Sequence, residues 1–414
     1  MRKRWLSIAL AALICLSFPA MAWAEEEDGG ELELYTDEAY YTRFAGQGIS
    51  INVYNWGEYI SDGSDDTLNV NRAFQDLTGI RVYYSTYATN EELYSKLRSG
   101  NANYDVIIPS DYMIGRMINE SMLLPLDKDN IPNLQYMDET FLNPIYDPGD
   151  VYSVPYTWGY VGVIYNKTLI YDEEELGSWD ILWNEKYLGN ILMFSNSRDA
   201  FAIAQSRNGY SLNTTDPDEL RDCLEDLKAQ KSLVQAYVMD EIFDKMLGGE
   251  AALAPYYAGD ALTMMDDNED LGFFIPEEGT NIFADAMCIP KGSREKEAAE
   301  MYINFMLEPE VGAANIEYIG YGTPNAEAKE LLDEEITGNP VAYPSEEELA
   351  NTEAFAALPQ NTSLLLDELW TELLSNDEQY NRILVPMIML AAILLSIGIN
   401  VQRHLRKNKR NYFS

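Results

Sequence analysis

The sequence predicts an α/β fold of two lobes followed by a C-terminal transmembrane helix, and three observations carry that expectation. Strand-like and helix-like runs alternate through most of the chain at a spacing that builds a mostly parallel sheet. With 414 residues the chain is long enough for two sizeable cores. Residues 383–401 form an apolar run about long enough to span a bilayer, interrupted by Pro386, Ser396 and Asn400 and followed at once by Arg403, Arg406, Lys407, Lys409 and Arg410.

Taken in order, residues 1–24 open on Arg2, Lys3 and Arg4, continue through an apolar stretch and close on Ala22-Trp23-Ala24. This is the pattern of a secretory signal peptide, so the mature chain is expected to start near Glu25. Cys15 follows Leu13-Ile14 rather than a small residue, which argues against lipidation there. Residues 25–49, headed by Glu25-Glu26-Glu27-Asp28, read as an acidic, solvated leader without a core face.

Order is expected from Ser50. A first strand through 51–54 runs into Tyr54-Asn55-Trp56-Gly57-Glu58-Tyr59-Ile60; then come a helix at 68–77 and a strand at 80–84. Thr89-Asn90-Glu91-Glu92 has the form of a capping box for a helix over 91–98, and 104–108 is a short buried strand ending at Pro109-Ser110-Asp111-Tyr112. The segment 151–167, with two strand-like runs about Trp158-Gly159, suggests the change of lobe. The second lobe then holds 179–187, a strand at 190–194, helices near 200–208 and 217–229, and a strand at 251–256. Strands at 271–276 and 286–290 lead back to the first lobe. Helices are expected at 295–307, 309–319 and 363–374. In outline, lobe 1 is 50–158 completed by about 286–325, lobe 2 is 159–285 completed by about 326–375, 376–382 is a tether, and 402–414 is a basic cytoplasmic tail.

Composition narrows the chemistry. There are 69 acidic and 28 basic residues, a net charge of −41, and eight of the basic residues sit at the two extreme ends. Nucleic acid and anionic lipid are therefore poor partners for the middle of the chain, whereas a cation would be steered towards it. The same acids also serve simply to keep an exported domain soluble. The one histidine, His404, lies in the basic tail, so the body offers no imidazole to a Ser-His-Asp or Cys-His site or to a zinc centre. Cys223 and Cys288, distant from each other, read as buried thiols.

The stretch 54–60 places two rings and a carboxylate where the first strand ends. Ligands of open α/β sheets bind outside the carboxyl ends of strands, and a ring face with a carboxylate suits an organic amine. The alternative is an edge turn whose rings belong to the core.

Six segments together resemble one family: YNWGEYI (54–60), YYSTYATNEELYSKL (83–97), YDVIIPSDY (104–112), YSVPYTWG (152–159), GYSLNTTDP (209–217) and IGYGTPN (319–325). Their order and spacing are similar to the type II periplasmic substrate-binding proteins of ABC importers, and within these to the spermidine/putrescine-binding PotD-type group. The resemblance spans about 50–375 and implies a two-lobed type II periplasmic-binding-protein fold that closes on a polyamine. It implies ligand contacts at Trp56, Glu58 and Tyr59, with Gly57 where the family has threonine. It places Ser110 and Tyr112 at a loop that reaches the ligand. In FSNSRDAF (194–201), Asn196 stands for one acidic ligand and Asp199 shortens another from glutamate. Tyr257 and Phe283 fall at tryptophan positions, Asp285 at an aspartate that fixes an ammonium, and Tyr321 at a tyrosine of the cage. No counterpart of the family's distal glutamine is found near Phe355. With one carboxylate and that glutamine missing, the shorter diamine weighs equally with the triamine.

The function implied is a non-enzymatic, cofactor-free capture of a polyamine outside the cytoplasm for an ABC permease, by a monomer held in the cell membrane through its C-terminal helix. A receptor for another cationic or small organic solute, and a ligand-sensing ectodomain, are the competing readings. A carboxylate-pair glycosidase is a third class, and it would need a fixed separation between two acids.

Overall fold

Strand β1 (Ser50–Trp56) sets the frame of the first lobe: Ile51 and Val53 are fully buried, and the strand is flanked on both sides by parallel partners. The computed structural model describes residues 32–100 and 103–375. The expected signal peptide, the start of the leader, the tether, the 383–401 helix, the basic tail and His404 lie outside the described residues. Among the described residues no helix is long and apolar enough to cross a membrane.

The expected leader is in part docked. Helix α1 (Glu38–Tyr41) presents a fully buried Tyr41, whose hydroxyl donates to Oε1 of Glu308 at 2.6 Å. Glu308 also accepts from the backbone N–H groups of Tyr35 and Thr36. The acidity of 25–31 hid the Tyr-Thr-x-x-x-Tyr-Tyr anchor that follows it, so the reading of 25–49 as a coreless segment is corrected from about residue 35.

After β1 come α2 (Val70–Thr78), β2 (Arg81–Tyr87), α3 (Asn90–Arg98), β3 (Val106–Ile107) and α4 (Asp111–Asn119). Helices α2 and α3 begin where the sequence supplies a side-chain cap. Asn69 accepts from the Arg72 N–H and Thr89 from the Glu92 N–H, each such cap contributing about 1 kcal/mol. The Glu92 side chain reaches back to the N–H of Ala88, one residue before the position an ideal capping box uses.

Strand β4 (Ser153–Asn166) is the connection between the lobes, and it is one strand of 14 residues rather than two runs about Trp158-Gly159. Its first half pairs antiparallel with β9 (Asn281–Cys288), and its second half pairs with β7 (Leu253–Tyr257) and β8 (Leu271–Phe274). The second lobe is filled by β5 (Ile191–Phe194), α5 (Ser197–Arg207), α6 (Pro217–Lys231), β6 (Val234–Val238), α7 (Glu241–Leu247) and α8 (Ala258–Asp267). The strand order is β2-β1-β3-β9-β4-β7-β5-β6. The flanks are parallel as expected, whereas β4 runs antiparallel to β9 and β7, and β9 antiparallel to β3.

Two differences concern which lobe a segment completes. Strand β8 pairs with the second half of β4 and so stays in lobe 2 instead of leading back. Helices α9 (Lys296–Met306) and α10 (Pro309–Ile319) pack on lobe 1, and α11 (Ala326–Leu331) joins them, with Ala328 buried against Gly312. The expectation that 326–375 completes lobe 2 therefore holds only for its last part. Beyond α12 (Glu334–Thr337), strand β10 (Glu353–Ala354) pairs with β9, and α13 (Gln360–Ser375) buries Leu366, Leu369 and Leu373 in the lobe 2 core. Cys223 and Cys288 are buried and free, as read from sequence.

Candidate functional site

The chain leaves β1 through a turn organised by Asn55, itself buried. Its Oδ1 accepts from the Trp56 N–H and its Nδ2 donates to the Tyr59 carbonyl, the local side-chain bonding that makes asparagine a turn residue. The turn delivers Trp56 and Tyr59 to the seam between the lobes. Trp56 Nε1 donates to the Ile108 carbonyl at 2.8 Å, which fixes the indole plane. The Tyr59 hydroxyl donates to Oδ2 of Asp285 at 2.8 Å and contacts Oγ1 of Thr157.

A cavity of about 560 Å³ lies between the lobes. Lobe 1 contributes Trp56, Gly57, Tyr59, Asn90, Ser110 and Tyr112; lobe 2 contributes Asp199, Met239, Asp240, Tyr256, Tyr257 and Asp260; the remaining walls are Asn281, Phe283, Asp285, Tyr321 and Phe355. Nine of the eleven residues singled out from sequence share this one cleft. Its walls hold eight aromatic side chains and four aspartates, and no Lys, Arg or His is among these lining residues.

Several of the rings pack against one another. Tyr59 meets Tyr321 edge-on at 4.8 Å, Phe283 meets Tyr257 at 5.5 Å, and Tyr112 meets Phe355 at 5.7 Å. Tyr321 can lie where it does because Gly259 has no side chain: a Cβ there would fall inside the phenol ring. Tyr112 donates to Oε1 of Glu91 at 3.0 Å, and Ser110 Oγ accepts from Nδ2 of Asn90 at 3.1 Å, so both loop residues are held from α3.

The carboxylates are arranged for a cation. Asp199, in the first turn of α5, accepts at Oδ2 from the Tyr257 hydroxyl at 2.8 Å and from Nδ2 of Asn196 at 2.6 Å. Asp285 is 3% exposed, and its Oδ1 is buried without a hydrogen bond. Burial pushes the Asp285 carboxyl up to about 6, with the Ser110 and Tyr59 hydroxyls pulling the other way. Burial likewise raises Asp199, and it raises Asp260 well above the usual range with added repulsion from Asp240, Glu58 and Asp285. The Arg198 guanidinium offsets part of the burial at Asp199, whereas for Asp260 and Asp285 an added ammonium would relieve the cost of burying the anion.

Two residues singled out from sequence do not line the cavity. Asn196 caps α5 and donates to Asp199, so it holds a carboxylate in place instead of facing the cleft. Glu58 is exposed with φ +45° and faces an outer basin of about 1270 Å³ together with Asp66, Asp260, Asp267 and Glu317. The left-handed backbone at Glu58 turns its side chain outward, which alternation along β1 could not indicate. The sequence reading missed Asn90, Asp240, Asp260 and Phe355. Phe355 was noticed only as a missing glutamine, and Asp240 and Asp260 carry no motif that separates them from the many other acids of this chain.

The profile described as bacterial extracellular solute-binding protein matches residues 70–344. The spermidine/putrescine-binding periplasmic protein of Escherichia coli is 35% identical over 301 residues, covering 72% of this chain and 84% of that protein. The putrescine-binding periplasmic protein SpuD of Pseudomonas aeruginosa is 29% identical over 342 residues, covering 78% and 92%. Among solved structures, the spermidine/putrescine ABC transporter substrate-binding protein PotD of Streptococcus pneumoniae superposes with a TM-score of 0.66 at 35% identity, covering 79% of this chain and 98% of that one.

Proposed function

The chain belongs to the bacterial extracellular solute-binding proteins, among them the spermidine/putrescine-binding, PotD-type group, and from this premise we propose that it captures a polyamine outside the cytoplasm and hands it to the permease of an ABC importer. The observation that carries the reading is the cleft itself: four aspartates and eight rings line one space that has no cationic side chain among its lining residues. A polyamine is a slender apolar chain with positive ends. Rings along its methylenes bury surface and hold its ammonium groups by their faces, each contact contributing ~0.5–2 kcal/mol. Charged hydrogen bonds from its amines satisfy the aspartates.

In this reading Trp56, Tyr59, Tyr112, Tyr257, Phe283 and Tyr321 line the ligand, Asp199 and Asp285 take its ammonium groups, and Ser110 adds a hydroxyl. Glu58 steers the cation at the outer basin, and Asn196 orients Asp199. No catalytic step is needed, since capture and release suffice. The apolar run 383–401 anchors the protein in the cell membrane as a single pass, with the tail 402–414 in the cytoplasm and the monomeric binding domain outside. Calorimetry on the purified full-length chain with spermidine and putrescine tests the binding, and the absence of heat with both would refute it. Carbonate extraction of membranes tests the anchor: a chain released into the wash has none.

A further inference from the structure

Gly57 and Asp240 stand face to face across the seam between the lobes. Gly57 follows Trp56 at the end of β1, and Asp240 precedes α7 in lobe 2. A Cβ built on Gly57 would collide with Oδ2 of Asp240, so this carboxylate occupies the space that any other residue at 57 would fill. Asp240 also lines the inner cavity beside Asp260, and Asp260 in turn faces both the cavity and the outer basin.

The aspartates are held in three separate places: Asp260, which lines the cavity with Asp240, also borders the outer basin; Asp285 accepts from the Tyr59 hydroxyl; and Asp199 accepts from Tyr257 and Asn196. These are three stations for positive charge, the one at Asp240 and Asp260 lying at the outer mouth. A diamine can neutralise two of them and a triamine all three. Asp240 itself is exposed, so at the outer station an ammonium gains a solvent-screened partner beside the buried Asp260.

Resting on the polyamine reading above, we propose that Asp240, admitted to the cleft by the bare backbone of Gly57, is the residue that makes this receptor select a triamine over a diamine. The geometry supplies a third charge station where the sequence shows only the loss of two polar ligands. Asp240 comes from lobe 2 and Gly57 from lobe 1, so it is the lobe 1 backbone that leaves room for the carboxylate.

The test is calorimetry on the full-length chain with spermidine and with putrescine, for the wild type, Asp240→Asn and Gly57→Ala. The wild type is expected to bind spermidine more tightly. Asp240→Asn lowers spermidine affinity about three- to fivefold more than putrescine affinity, the equivalent of one exposed charge pair. Gly57→Ala, which displaces the carboxylate without removing it, shifts the ratio in the same direction, and the double variant shifts it no further than Asp240→Asn alone. A wild type that prefers putrescine, or a ratio unmoved by Asp240→Asn, overturns this inference and leaves the polyamine reading standing. A wild type that binds neither amine overturns both.

Discussion

Tyr59 donates its hydroxyl proton to Oδ2 of Asp285 at 2.8 Å, tying the turn after the first strand to β9, the strand that pairs with the first half of β4. That bond uses one carboxylate oxygen and leaves Oδ1 buried and unbonded. Replacing Asp285 with asparagine keeps the shape and removes the charge. Polyamine affinity is expected to fall about hundredfold, the effect of removing one partner of a buried charge pair, and calorimetry reads it directly. The empty protein is expected to melt no lower than the wild type at neutral pH.

The pH dependence follows from the same residue. Asp285 rises from an ordinary 3.8 to about 6 on folding, so between those values the folded chain holds a proton that the unfolded chain has released. Its contribution to stability is complete below pH ~4 and is lost as pH rises through ~6, an amount of order 3 kcal/mol. Asp285→Asn and the wild type should therefore have similar unfolding free energies at pH 4, and the variant should be the more stable by up to that amount at pH 7.5. Denaturant titration of the ligand-free proteins at both pH values checks this.

Glu308 is fully buried and accepts from the Tyr35 and Thr36 N–H groups and from the Tyr41 hydroxyl. Glu308→Ala leaves those donors without an acceptor and is expected to cost about 2–4 kcal/mol, read as a lower Tm. Because these contacts are remote from the cleft, polyamine affinity measured well below the new Tm should stay within about twofold of wild type.

Gly259→Ala tests the wall. The added methyl would occupy the Tyr321 ring, which must then swing into the cavity or away from it. Either movement disturbs the Tyr59–Tyr321 contact, and affinity should fall by roughly 1–3 kcal/mol, about five- to hundredfold.

Much of this architecture is legible in the sequence because short-range physics writes it there. Thr89 caps its helix as read, Pro309–Ile319 is a helix to the residue, with Gly320 at φ +74° ending it, and Cys223 and Cys288 are buried. Trp56, Tyr59, Asp199, Tyr257 and Asp285 were found through motifs, and they do share a cleft. What stayed hidden depends on long-range placement. Asp240 and Asp260 matter only through which residues oppose them, Glu58 only through a positive φ, and Tyr41 only through a glutamate 267 residues away. The reading of Trp158-Gly159 as a break failed because Gly159 is a packing site, where Phe283 and Tyr321 approach the backbone closely, and the strand runs on through it.

Strand β4 serves both sheets without interruption, with its ladder to β9 irregular only between Pro155 and Thr157. Any rocking of one half against the other must therefore be absorbed by twisting a hydrogen-bonded ribbon near that bulge, instead of by a floppy connector. The same continuity means that neither half can be severed and kept as a working fragment, because each would carry away a strand whose other edge was built to be covered.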